Sequence, residues 1–421
     1  MERSKLLQNR TDDSFRTPKT HKYYDFFAGA GLVRLGLKED WECTWANDID
    51  SQKAEIYQVN FGSKEFVLGD VLNVSAKSLP PSADMAWSSF PCQDLSLAGW
   101  RRGMSAERSG TFWAFWNIMR NMHSLGDRPP IVVVENVMGL LYEDNLLGLC
   151  EALSALGMKF GPLVIDANWF LPHSRPRVFI VAIDSKVNCD DFTELMPESK
   201  PWFPKPVLTA WSRLPRDLHN KWIWWKLPIP QVAIPPVEEI LEDLPYLVRW
   251  HTSEETGNLL DMMTPLNLGK VLRAKKSLRR EVGFLYKRVR NGQQRAEIRF
   301  DGKAGCLRTP HGGSSRQTVV VVQNGGVSSR LWSPREAARL MGVPDSFWLP
   351  ARYNDAYRAM GDGVAVPVAR WLSQHLLIPL AQASSYRGPE IRGNNLNGEN
   401  DPNLSLRKAE LLASKWSAGR K

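Results

Sequence analysis

The first 184 residues alternate short apolar runs with amphipathic stretches, and that rhythm admits few architectures. Tyr23-Tyr24-Asp25-Phe26-Phe27 predicts a first strand. The runs from Trp41 to Ala46, Phe66 to Val71, Met85 to Phe90, Ile131 to Val134 and Val178 to Ile183 predict five more. A helix through Leu37 follows Ala28-Gly29-Ala30-Gly31, and the longest predicted helix runs from Arg108 to Leu125. Its Phe112, Trp113, Phe115, Trp116 and Met119 fall at helical spacing and read as core. Strands and helices alternating in this way predict an open, mostly parallel α/β sheet.

Such a sheet binds ligands at the carboxyl ends of its strands, so the residues just after each strand are the candidates. Glycines after the first strand let a ligand approach the backbone at an electropositive helix start. A dinucleotide fingerprint needs a third glycine where Arg34 stands, which argues against a nicotinamide cofactor. Asp48 and Asp70 end the next two predicted strands; one acid suits a ribose diol and the other an adenine amino group. Phe90-Pro91-Cys92-Gln93 closes the fourth run with a thiol and opens a loop containing Arg101 and Arg102. A nucleophile would sit there, though the residues alone equally suit a buried, inert cysteine. Glu135-Asn136 ends another apolar run, and Arg175-Pro176-Arg177 precedes the last one. Taken singly, the first also reads as a turn or cap and the second as a surface pair.

Five widely spaced cysteines without a CxxC pair predict neither a disulfide framework nor a metal site, and a reducing cytoplasm suits them. No apolar run reaches membrane length, and residues 1–21 read as a disordered polar leader without a signal h-region. The net charge is +9, and the segment from Lys270 to Arg299 alone carries that whole excess. A solvated face is one reading of the run and a polyanionic partner the other.

After Asp184 the alternation stops. Residues 185–300 are rich in proline and hold six tryptophans between Trp202 and Trp250, predicting a second, irregular domain. Trp222, Trp224 and Trp225 read as a small core. Order returns with Thr318 to Val322, a hairpin turn at Asn324-Gly325, and a capping box at Ser333-Pro334-Arg335-Glu336 that opens a helix through Met341. A last helix is predicted from Val366 to about Pro379, and residues 385–421 form a polar tail.

Phe90-Pro91-Cys92-Gln93, Glu135-Asn136-Val137 and Arg175-Pro176-Arg177, in this order after the glycine turn, together resemble the DNA cytosine-5 methyltransferase family. The resemblance covers residues 22–184 and 301–380 and extends to Arg308-Thr309-Pro310 and Gly361-Asp362-Gly363-Val364. It implies a Rossmann-like methyltransferase sheet in parts 22–184 and 301–384, with a target recognition domain inserted at 185–300. It implies S-adenosylmethionine as methyl donor, no metal, and double-stranded DNA as substrate. Cys92 becomes the nucleophile for cytosine C6, Glu135 the acid at N3, Arg177 the holder of O2 and Arg175 its support. Cofactor contacts carry over to Phe27, Gly29, Gly31, Asp48, Ile49, Asp70, Val71, Pro91 and Val364. The loop from Asp94 to Arg108 resembles a mobile catalytic loop, and Gln93, Ser96, Arg101, Arg102, Arg108 and Arg308 are the implied DNA contacts. The absence of a large extension before the glycine turn suggests a bacterial type, and a pocket completed within one chain makes a monomer the default. A restriction endonuclease acting on the same site is a partner the sequence leaves open.

Two positions depart from the family pattern. Leu32 stands where a further glycine is usual, and Asp362 where asparagine is usual. An RNA-methylating branch of the family and a catalytically dead binding protein are the alternatives. The long insertion speaks against the first, and the joint presence of Cys92, Glu135 and Arg177 against the second.

Overall fold

The computed structural model describes residues 21–91, 110–142, 144–195, 201–307 and 316–385. Seven strands form the main sheet: β1 (His21–Phe26), β2 (Trp41–Asp48), β3 (Phe66–Leu68), β4 (Met85–Ser88), β5 (Ile131–Asn136), β6 (Met158–Asp166) and β7 (Pro176–Asp184). Their order across the sheet is β3-β2-β1-β4-β5-β7-β6. Strands β1 to β5 are parallel, and β7 runs antiparallel to both of its neighbours. The order reverses between β1 and β4, which opens a crevice at their carboxyl ends.

The connecting helices are α1 (Leu32–Leu37), α2 (Ser51–Phe61), α3 (Thr111–Leu125) and α4 (Asp144–Ala155). The aromatic face of α3 is buried, as its spacing predicts. Strand β6 has no counterpart in the sequence reading, because Gly161-Pro162 interrupts its apolar run. The glycine is required there: a Cβ at Gly161 would lie 2.0 Å from the Ile223 carbonyl oxygen. Residues 221–223 lie against this strand, with the Phe160 N–H donating to the Lys221 carbonyl and the Ile223 N–H to the Phe160 carbonyl.

That cover changes the reading of the tryptophan-rich segment. Strands β8 (Thr193–Glu194) and β9 (Trp224–Trp225) and helices α5 (Lys205–Ser212) and α6 (Arg216–His219) bury Trp202, Trp211, Trp222, Trp224 and Trp225 in the main core. Trp202 packs 4.9 Å from the ring of Trp371. Residues 201–241 therefore finish the large core and do not begin a separate one.

A second core gathers further on. Helices α7 (Ser253–Asp261) and α8 (Pro265–Lys275) pack Leu259, Met263 and Val271 against Leu285, Ile298, Val320 and Val322. The apolar residues come from an antiparallel sheet of β10 (Glu281–Arg290), β11 (Gln293–Arg299), β12 (Thr318–Gln323) and β13 (Gly326–Leu331), ordered β11-β10-β12-β13. Because β10 pairs with both β11 and β12, this sheet crosses the division expected at residue 300. Its other face, with Val282, Phe284, Val319 and Val321, belongs to the main core.

The chain then returns through α9 (Pro334–Arg339), α10 (Tyr353–Asp362), α11 (Val366–Leu372), a π turn and α12 (Ile378–Ser385). The capping box forms as predicted: the Glu336 N–H donates to Ser333 Oγ and the Ser333 N–H to Glu336 Oε2. Arg330 of β13 adds a doubly bonded, buried ion pair to Glu336, at 2.6 and 2.7 Å. That pair joins the small sheet to α9. The stretch from Tyr353 to Ser385 is long and apolar enough to cross a membrane, yet 67% of its most apolar window is buried in the fold.

Candidate active site

A cavity of about 460 Å³ opens at the carboxyl ends of β1, β2, β4 and β5, closed on one side by the end of α10. Its floor is the glycine turn. Phe27 and Gly29 both take positive φ, 60° and 55°, so the chain reverses sharply after β1. The Ala28 N–H donates to the Asn47 carbonyl, and the Gly29 N–H donates to Asp48 Oδ2 at 2.8 Å. Asp48 Oδ1 accepts from the Asp50 N–H. Asp48 thus braces the turn and still has lone pairs facing the cavity.

Strand β5 is buried at all six positions, and it runs two residues further than its apolar stretch, ending in Glu135 and Asn136. Glu135 pairs with Phe179 across to β7, so Arg177, two residues along β7, projects from the same face. Arg177 Nε lies 3.3 Å from Glu135 Oε1. Burial raises the Glu135 carboxyl above its usual range, and the nearby Arg177 and Arg175 only partly oppose this. The Asn136 side chain donates to the Phe90 carbonyl at 2.9 Å, tying β5 to the segment that leads out of β4. Pro91, the residue before Cys92 in sequence, lines the cavity.

Arg175 is a buried pin. Its Nη2 donates to the carbonyls of Gly361 and Gly363, at 2.8 and 2.7 Å, and its Nη1 to Cys306 Sγ at 3.4 Å. The returning C-terminal segment is thereby fixed over the cavity, where Asp362, Gly363 and Val364 join the lining.

The profile of the family described as C-5 cytosine-specific DNA methylase matches residues 21–377. The chain belongs to that family. The Type II methyltransferase M.DsaV of Dactylococcopsis salina is 30% identical over 366 residues, covering 85% of this chain and 86% of its own. M.HhaI of Haemophilus parahaemolyticus is 28% identical, covering 84% and 94%. M.BsuFI of Bacillus subtilis is 26% identical, covering 87% and 76%. The solved Entamoeba histolytica methyltransferase EhMeth superposes with a TM-score of 0.53 at 14% identity, covering 86% of this chain and 99% of its own, and so shares the fold.

In this methylase the cavity brings together Phe27, Gly29, Asp48 and Ile49 with Pro91, Glu135, Arg175, Arg177 and Val364, all singled out in the sequence. Three others stand apart from the lining. Gly31 is needed for packing: with φ at 81°, a Cβ there would lie 2.5 Å from the Phe61 ring and 2.9 Å from Tyr57. Asp70 caps the turn at residues 71–73 by accepting from the Leu72 N–H, and Val71 is buried beneath it. Cys92, Gln93, Ser96, Arg101, Arg102, Arg108 and Arg308 lie outside the described residues.

The two departures from the family pattern have local partners. Leu32 fills the space left by Gly363, where a Cβ would come within 2.5 Å of its Cδ2. Asp362 pairs with Lys53 of α2 at 2.8 Å, while Arg358 bonds Asp50 at 2.7 Å and approaches Asp362 at 3.7 Å. The added carboxylate is therefore matched by cations at the cavity mouth. Lys53, Arg358 and Cys306 were not singled out in the sequence. A departure at one position invites a search for its partner, but the partner's place in the chain is not readable from it.

Proposed function

We propose that this methylase transfers a methyl group from S-adenosylmethionine to C5 of a cytosine flipped out of duplex DNA, as the modification enzyme of a restriction-modification pair. The observation that carries the proposal is the pairing of buried Glu135 with half-buried Arg177, held in one cavity with the glycine turn. The relatives named as Type II methyltransferases support the biological role.

The cavity suits the cofactor. Asp48 offers an acceptor for ribose hydroxyls beside the exposed side chain of Ile49. The Lys53–Asp362 pair offers one charge for each end of a zwitterionic amino acid. When bound, S-adenosylmethionine supplies an electrophilic methyl group. The chain's residues do the rest. Cytosine C5 is a weak nucleophile, and attack of the Cys92 thiolate on C6 makes it an enamine. Negative charge then builds toward N3, where a protonated Glu135 donates its proton. Burial, which raises the carboxyl above its usual range, favours the protonated form that this step needs. Arg177 holds the base's O2 against the same carboxyl. After methylation a water or side-chain base removes the C5 proton, and the Cys92 thiolate leaves.

A target inside a stacked duplex must be extruded before this chemistry, and the small sheet with its basic flank is the segment suited to hold the duplex. The family resemblance implies recognition by residues 185–300; the unit proposed for that role runs instead from α7 through β13 and includes β12.

The test is transfer of labelled methyl to duplex DNA, with transfer RNA and a Cys92→Ser variant alongside. Label in DNA that disappears in the variant is expected. Label confined to transfer RNA, or label in DNA that survives the substitution, would sink the substrate or the nucleophile assignment respectively.

A further inference from the structure

Resting on the reading of Glu135 as the N3 acid, we propose that Cys306 is a positioning residue of the active site. Its sulfur, as thiolate, takes up positive charge from Arg175 and Arg177 that would otherwise fall on the Glu135 carboxyl.

The geometry begins with how Cys306 is held. The Ala304 N–H donates to the Pro172 carbonyl and the Ser174 N–H to the Ala304 carbonyl, both at 2.8 Å. The Leu307 N–H donates to His173 Nε2 at 3.3 Å, and His173 Nδ1 donates to the Leu340 carbonyl at 2.9 Å. Cys306 is thus laced on both sides to residues 172–175. Its Sγ meets Arg175 Nη1 at 3.4 Å and both terminal nitrogens of Arg177 at 3.9 Å. Two guanidiniums converge on one sulfur.

Among the described residues the charges around that sulfur do not otherwise balance. Arg175 and Arg177 contribute two positive charges, and Glu135 is the carboxyl that faces Arg177 among the described residues. Asp166 engages the backbone N–H of Arg175 and the Ser174 hydroxyl. His173 is fully buried and held neutral, its pKa pushed down to about 3 by burial. Tyr357, on α10, has its hydroxyl pushed up by burial and stays neutral too. Burial would raise the Cys306 thiol, but the two arginines together outweigh it and hold the thiol below its ordinary value. A thiolate here neutralises one of the two positive charges. Glu135 can then keep its proton while 3.3 Å from Arg177.

The direction of the effect follows. The N3 acid must be protonated, so the rate falls as pH rises through the Glu135 pKa. A neutral side chain at position 306 leaves both guanidiniums acting on Glu135 and lowers that pKa. The descending limb of the pH–rate profile then moves to lower pH.

Two measurements decide it. In the Cys92→Ser variant, iodoacetamide labelling of Cys306 is followed by mass spectrometry as a function of pH. The labelling rate should level off below the ~8.5 of an unperturbed cysteine. In a Cys92-containing background, Cys306→Ser should shift the descending limb of methyl transfer by about 1 unit to lower pH, as a nearby charge does. Cys306→Asp, which restores a negative charge, should move it back. Labelling that rises only through the ordinary thiol range would overturn the proposal. So would a uniform loss of rate in Cys306→Ser with the limb unmoved. If the wild type transfers no methyl to DNA, the reading of Glu135 fails instead, and the labelling curve still decides whether Cys306 is a thiolate.

Discussion

Two buried carboxyls in this molecule have opposite uses for the same physics. Glu135 sits in the last pair of a fully buried strand with a guanidinium beside it, so its raised pKa comes with a partner and a place in the cavity. Asp25, on β1, has no such partner for Oδ2 among the described residues, and burial pushes its pKa up to about 8. An acid whose pKa is higher folded than unfolded stabilises fully below its unfolded value, and that contribution is lost as pH rises through the folded one. Asp25→Asn keeps the shape and removes the titration. Thermal unfolding followed from about pH 4 to about 8 should show the wild-type Tm falling relative to the variant's. Parallel curves across that window would mean that Asp25 is ionised at little cost.

At the scale of elements, the glycine turn, α1 and the loop after α10 behave as one fitted unit. Leu32 opens α1 and occupies the room that Gly363 leaves. Gly363 has an ordinary φ of −77°, so space and not backbone conformation is what a side chain would violate. Gly363→Ala should overpack the contact and cost about 1–3 kcal/mol. The double variant Leu32→Ala/Gly363→Ala should recover much of the loss, giving a non-zero coupling energy in a denaturation cycle. Additive effects would show that the two positions do not share this space. Both departures from the family pattern are thus answered locally, Leu32 by Gly363 and Asp362 by Lys53.

For the whole molecule, the basic segment divides by what each cation already holds. Lys270 donates to the Ile298 carbonyl and the Asn267 side chain, Arg288 and Arg290 face Glu297, and Arg299 pairs with Asp301. Lys275, Lys276, Arg279 and Arg280 are exposed where α8 hands over to β10, around the fully exposed Leu278. They are the cations best placed to meet phosphates. Replacing all four with alanine should weaken duplex binding and flatten its salt dependence, by roughly 0.9 in log–log slope for each phosphate no longer neutralised. Methyl transfer at saturating DNA should persist. An unchanged slope would assign the duplex to another face. The small sheet keeps its orientation through Arg330, which is buried between Glu336 and the Trp250 ring, 5.0 Å from its guanidinium.

Local order along the chain determined much of this protein. Alternating strands and helices specify the parallel sheet, and a sheet of that kind delivers the ends of β1, β2, β4 and β5 to one crevice. Phe27, Asp48 and Glu135 were therefore readable, because each stands at the carboxyl end of a strand and backbone direction alone places it; Arg177 opens β7 and reaches the same crevice only because that strand runs antiparallel to β5. The capping box at Ser333 was readable for the same reason, being settled within four residues. Strand β6 was not, since Gly161-Pro162 breaks its pattern and only the approach of Ile223 accounts for the glycine. Nor was the reach of the tryptophan segment into the main core, or the pairing of β10 with β12 across residue 300. The contacts of Cys306 with Arg175 and of Lys53 with Asp362 join residues 131 and 309 positions apart. Side chains so far apart in sequence are neighbours only after the core has packed, and it is packing that decides which charge is answered by which.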